Sequence, residues 1–456
     1  MKKRLCFVIL STMLLAACQS GDQQKVAEYP EKKTEMITVQ DWTKDKNLYE
    51  VNIRQYTKEG TFAAFEKEIP RLKEMGVDIL WLMPIHEIGE KNRKGTLGSY
   101  YAIKDYKSIN KEFGNKDAFR SLVKTIHENG MYILMDWVAN HTGWDHIWTE
   151  SNPEYFSKNE AGNFMPPKGT DWDDVIELDY SNPDVHDAMS DAMQYWVREF
   201  DIDGYRCDVA DLVTMDFWQR VRPELDAIKP VFMLAEAENP KMHDHAFDMT
   251  YATEQFHTLV RVAQGLESPT ALDSLLDVRK KQFPENAYRL NFITNHDENT
   301  WKGTIEELMG PAHKAMAVYT YTLPGMPLIY SGQESNVQQR IEFFEKDPIQ
   351  WGNYSMLEFY AKLNALKHKN QALWNGEFGG DFIRLNRPQV PEVIAFTRNK
   401  DNNTVLSIFN FSKRQITFEL NKDLGDMADY FNGETLDLKS GTVFELAPWD
   451  FKVYIK

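Results

Sequence analysis

Between residues 47 and 350 the chain alternates short apolar, β-rich runs with longer amphipathic stretches, and no other feature restricts its fold as much. "LYEVNIRQY" precedes "FAAFEKEIPRLKEMG", "VDILWLMPI" precedes "FRSLVKTIHENG", and "MYILMDWVANH" follows. After Tyr180 the alternation resumes with helical "VHDAMSDAMQYWVREF", the strand "DGYRCD", helical "MDFWQRVRPELDAI" and the strand "VFMLAE". Further strands read at "RLNFITN" and "MPLIYSG". Strand and helix in repeated succession imply parallel pairing, because each crossover helix returns the chain to the same end of the sheet. Seven strands are legible, an eighth is expected near residues 247–250, and eight close a barrel. The expected class is α/β, a (β/α)8 TIM barrel over residues 47–374.

Two stretches break the rhythm. Residues 142–180, "GWDHIWTESNPEYFSKNEAGNFMPPKGTDWDDVIE" at their centre, are rich in Gly, Pro, Asn and aromatics. They predict an inserted loop domain after the third strand, and a loop that long in a compact domain is usually functional. From residue 375 to 456 the texture turns to alternating strands with polar turns, as in "VIAFTRNKDNNTVLSIFNFSKRQITFEL". That is the pattern of an antiparallel β-sandwich domain.

The first twenty residues, "MKKRLCFVILSTMLLAACQS", carry a basic start, an apolar run and small residues before Cys18. This predicts a secretory signal over residues 1–17 and not a spanning helix. "LAAC" resembles the bacterial lipobox, which implies lipidation of Cys18 and a protein tethered to a bacterial membrane, the outer one, facing periplasm or cell exterior. Residues 18–46 read as a flexible tether. With Cys6 removed and Cys18 acylated, Cys207 is the remaining thiol, so no intramolecular disulfide is expected. The formal charge of −17 disfavours nucleic acid and anionic lipid as partners and leaves the lipid anchor as the membrane contact.

In barrels of this kind reactive groups sit where strands end. Four such ends carry polar residues: Asp136, Asn140 and His141; Arg206 and Asp208; Glu236; and Asn295, His296 and Asp297. The ordered blocks "DWVANH", "GYRCD", "LAEAE" and "FITNHD", supported by "GVDILWLMPI", "SYYAIKDYKSIN" and "GMPLIYSGQE", resemble the signature of the α-amylase family, glycoside hydrolase family 13. The resemblance runs from about residue 46 to the C-terminus.

It implies Asp208 as nucleophile, Glu236 as general acid and base, and Asp297 as a third carboxylate. Arg206, His141 and His296 would complete a sugar pocket with Tyr101 as stacking platform. No cofactor is required by the resemblance, although Asn140 matches a position that often ligates calcium. The implied activity is a retaining α-glucan hydrolase acting on starch, maltodextrin or maltooligosaccharides. An α-glucosidase or glucanotransferase built on the same site is the alternative, and a non-catalytic glycan-binding protein a remoter one. "VADLV" departs from relatives that carry Lys or His shortly after the nucleophile, and "VIELDY" matches no linkage-specific motif cleanly.

The chemistry needs these types. Retaining cleavage uses one ionised carboxylate to attack the anomeric carbon and one protonated carboxyl to donate to the leaving oxygen, roughly 5–5.5 Å apart. Arg206 lies two residues before Asp208, on the same strand face, and is expected to lower that aspartate's pKa, with Asp136 as a structural partner of the guanidinium. Glu236, among other acids, is expected to hold its proton. Trp137, Trp144, Trp148 and Trp172 are candidates for a sugar-lined cleft.

Overall fold

The computed structural model describes residues 39–385 and 390–456, so the signal segment, Cys18 and most of the tether lie outside the described residues. Eight parallel strands close a barrel in chain order: β1 (Leu48–Val51), β2 (Ile79–Leu82), β3 (Tyr132–Trp137), β4 (Gly204–Cys207), β5 (Phe232–Ala235), β6 (Met249–Tyr251), β7 (Tyr288–Asn291) and β8 (Met326–Tyr330), with β8 pairing back to β1. The short β6 is the strand that the sequence only hinted at near 247–250.

Local chemistry sets each crossover. Before β4, the helix Pro183–Phe200 starts where the Asn182 side chain accepts from the Asp184 N–H (3.0 Å) with Pro183 in its first turn. It ends at Asp201, whose φ of 57° turns the chain toward β4. Gly204 then opens the strand at φ 153°, and a Cβ there would fall 1.9 Å from the Phe232 carbonyl oxygen. Only glycine lets β4 press this close to β5, and those two strands carry Asp208 and Glu236 at their ends.

The barrel interior is apolar toward its base and polar near its top. Glu50, Asp136 and Arg206 are all fully buried there, and register places Glu50 beside Trp81 and Asp136 beside Arg206.

The insertion follows β3 as expected. Its spine is an antiparallel pair, His141–Gly143 with Val175–Glu177, so His141 stands on the first insertion strand. The C-terminal domain is a sandwich. Six antiparallel strands between Asp381 and Ile455 form one sheet, and the pair Ile416–Glu419 with Val443–Leu446 forms the other layer. Phe418, Phe444 and Leu446 of the pair, with Leu420 just after it, share a core with Leu406, Ile408 and Tyr454 of the sheet. The sheet's opposite face packs on the barrel helix His313–Thr322, where Tyr319 meets Phe396, Phe409 and Phe411 edge-on. One hydrophobic core therefore runs from barrel to sandwich. Cys207 is a buried free thiol.

Candidate active site

Arg206 organises the site. It is fully buried, and its Nη1 donates to Asp136 (2.9 Å) and to Asp208 (3.0 Å). Its Nη2 lies 2.8 Å from Glu236 Oε1, an ion pair not aligned as a hydrogen bond, and its Nε donates to the Tyr251 hydroxyl at 3.2 Å. One planar fork thus touches both carboxylates at the ends of β4 and β5 and brings them to the same side of the guanidinium, as a retaining pair requires. The expected Asp136–Arg206 partnership is present, and Trp81 Nε1 donates to the second Asp136 oxygen at 3.0 Å.

The expected sign for Asp208 requires correction. Burial first, and then the charge of Glu236, push its carboxyl well above the usual range, with Arg206 opposing them. The physical reason is that one guanidinium divided among three carboxylates cannot fully compensate each of them.

The residue after Asp208 is held in an unusual conformation. Val209 has φ 36° and ψ 48°, a left-handed geometry that β-branched residues rarely adopt. It turns the Val209 N–H onto Glu236 Oε2 at 2.8 Å. The "VADLV" departure thus contributes through its backbone, as a donor that orients the second carboxylate.

A second polar chain meets the first. Burial would depress His296, but Asp297 and Glu50 outweigh it and raise its pKa to about 9, so the ring is an imidazolium. Nδ1 donates to Glu50 (2.5 Å) and Nε2 to the Tyr101 oxygen (2.8 Å), whose hydroxyl donates to Asp136 at 3.2 Å. Asp297 lies 3.3 Å from His296 Nε2 and is the most exposed of the three acids. Tyr101 lies nearly parallel to His296 and to Phe343, so its ring faces the cleft as part of an aromatic strip.

His141 is neutral, its pKa lowered to about 4 by burial. Asn140 Nδ2 donates to its Nδ1 at 3.2 Å, which leaves the Nε2 proton directed at Asp208, 3.9 Å away. That is the structural place of Asn140. Among the described residues no three acidic, histidine or cysteine side chains converge on a metal position, so calcium at Asn140 would have to be held by its amide oxygen together with backbone carbonyls. No step below passes through a metal.

These groups line a cleft of about 710 Å³ at the top of the barrel, within the range of small-ligand sites. Tyr101, His141, Asp208, Glu236, His296 and Asp297 all reach it. Of the tryptophans singled out in the sequence, Trp172 lines the cleft, 5.5 Å from His141, whereas Trp137 and Trp148 pack around Tyr106 and Trp144 lies under Lys91. Lys94 clamps the Trp172 loop through Asp173 (2.7 Å) and Asp174 (3.2 Å).

Sequence reasoning missed Glu50, although an acid inside the apolar run "LYEV" was a visible signal. It also missed Trp301, which is 52% exposed, donates Nε1 to Asp297 at 3.2 Å and packs on Phe343 at 5.3 Å.

The profile of the alpha-amylase catalytic domain matches residues 36–175 and 168–352. A maltogenic alpha-amylase from Bacillus acidopullulyticus is 27% identical over 420 residues, which cover 85% of this chain and 69% of that protein. An alpha-amylase from Haloarcula japonica is 26% identical over 412 residues, 86% of this chain but 59% of its own length, so this chain spans well under two thirds of that relative. The crystal structure of a noncanonic maltogenic alpha-amylase from Thermotoga neapolitana superposes with a TM-score of 0.83 at 29% identity, covering 90% of this chain and 98% of that one. An alpha-amylase from Lactobacillus plantarum gives 0.82 at 28%, covering 90% and 99%. The chain belongs to the alpha-amylase family, glycoside hydrolase family 13.

Proposed function

We propose that the protein hydrolyses α-glucosidic bonds of maltooligosaccharides with retention of configuration, by double displacement. Asp208 attacks the anomeric carbon as Glu236 gives its proton to the leaving oxygen, forming a glycosyl ester. Glu236 then takes a proton from water, which attacks the same carbon and releases Asp208. Asp297 and the His296 imidazolium hold sugar hydroxyls and stabilise the positive charge that develops on the ring. Tyr101 is the stacking surface and His141 a donor on the nucleophile's side.

The observation that carries this reading is the contact of the single Arg206 guanidinium with both Asp208 and Glu236. Relatives of the chain are named maltogenic alpha-amylase and cyclomaltodextrinase, which supports a short α-glucan as the substrate. The test is turnover of maltotriose. Asp208→Asn is expected to abolish it, Glu236→Gln to leave a trace, and an undiminished rate in either variant would overturn the assignment.

The N-terminal sequence further supports a lipid-anchored protein of the bacterial cell envelope, tethered through Cys18. Cys18→Ser is expected to release the enzyme from the membrane fraction and block labelling by a clickable fatty acid. Continued labelling would exclude Cys18.

A further inference from the structure

A second cavity, of about 580 Å³, lies outside the barrel wall, between β7, the helix Thr270–Gln282 and the first strands of the C-terminal sandwich. It exists because that helix sits off the barrel, burying little beyond Leu272 and Asp273. Leu275, Leu276, Phe283 and Phe382 give the cavity apolar walls.

Its polar side is unbalanced. Arg279, Arg289 and Arg398 point into it, and the partly buried acid that faces them is Glu238. Glu238 is already fully used: Oε1 takes both Arg289 (2.8 Å) and Arg279 (3.1 Å), and Oε2 accepts the Glu254 N–H at 2.9 Å. The Nε of Arg279 is buried without a hydrogen-bond partner. Arg398 is 1% exposed and spends Nε and Nη1 on the carbonyls of Gly380 (3.0 Å) and Thr322 (3.2 Å). No carboxylate pairs with it among the described residues. Burial pulls its pKa down to about 9, with only the exposed Asp381 opposing. Space in front of its Nη2 is kept by Gly379, where a Cβ would stand 2.9 Å from that nitrogen. The exposed rim is mixed, with Glu285, Glu377 and Asp381 set against Lys280 and Lys400.

A buried guanidinium without a counter-ion is costly unless an anion completes it. We propose that this cavity binds a small organic oxyanion, its carboxylate or phosphate held by Arg279 and Arg398 and its apolar body lying on Phe283 and Leu275. Its lining shares no residue with the hydrolytic cleft, although Glu238 follows Glu236 by two positions.

The test is calorimetric titration of the intact protein at constant ionic strength with benzoate, inorganic phosphate and neutral benzyl alcohol. Benzoate binds saturably at one site, phosphate binds the same site more weakly, and benzyl alcohol gives no saturable heat. Arg279→Gln weakens benzoate at least about tenfold, the loss of one charge-assisted hydrogen bond. Leu275→Trp, which fills the cavity, abolishes it. Both variants turn over maltotriose at the parent rate, which shows that they are folded. Phosphate binding more tightly than benzoate would assign the anion but remove the apolar body from the proposal. Equal binding of benzyl alcohol, no saturable binding of either anion, or binding unchanged in both variants would overturn it.

Discussion

Glu50→Gln tests the electrostatic design of the site most directly. His296 is 3% exposed at its side chain, and its pKa is raised from 6.5 to about 9, with Asp297 and Glu50 overcoming burial. At about 1.4 kcal/mol per pKa unit, this rise is worth about 3 kcal/mol of preferential proton binding by the folded state. The sign follows from the raised value. The stabilisation is complete below pH 6.5, declines as pH climbs, and is gone above about 9. Asp297 is 41% exposed at its side chain, so solvent screens its share and Glu50 carries most of the effect. Urea unfolding followed by tryptophan fluorescence at pH 6 and at pH 9.5 measures it. The variant is expected to be less stable than the parent by about 2–3 kcal/mol at pH 6, the cost of an unpaired buried imidazolium, and at least as stable at pH 9.5, where the buried Glu50 carboxylate, itself disfavoured by desolvation, has lost its cationic partner. A stability difference that does not change between the two pH values would refute the charged pair.

Other consequences follow from the same geometry. Arg206→Met leaves Asp136, Asp208 and Glu236 without their shared cation and is expected to cost about 3–5 kcal/mol of stability as well as all turnover, read by calorimetry and maltotriose hydrolysis. Trp301→Ala removes an exposed ring beside Asp297 and should raise KM for maltotriose by about tenfold with a smaller change in kcat. Lys94→Met frees the Trp172 loop, so KM should rise a few-fold and lose part of its dependence on salt; an identical salt profile would exclude the clamp. His86, His146 and His243 are neutral in the fold, each pulled to about 3 by burial. With lowered values their stability is present above pH 6.5 and lost as pH falls, so His86→Phe should flatten the acid side of the stability profile.

The sequence by itself determined the barrel, because strand and helix periods differ enough to be read locally and parallel pairing follows from the crossovers. It also singled out Asp208, Glu236, Asp297, Arg206 and the two histidines, which the fold brings together, since a polar residue at the end of an apolar strand stands out against its neighbours. β6 stayed faint because Met249–Tyr251 is only three residues long, too short for a period. Tertiary structure alone decided how Arg206 divides its charge. The pKa direction of Asp208 depends on Asp136 and Glu236, which belong to other strands, and sequence spacing sees only the Arg206–Asp208 pair. Glu50, Trp301 and Phe343 join the site from segments far apart in the chain, and Asn140 turns to His141 for reasons set by packing. Local pattern reports what a residue resembles, whereas burial and charge depend on everything the fold brings within a few ångströms.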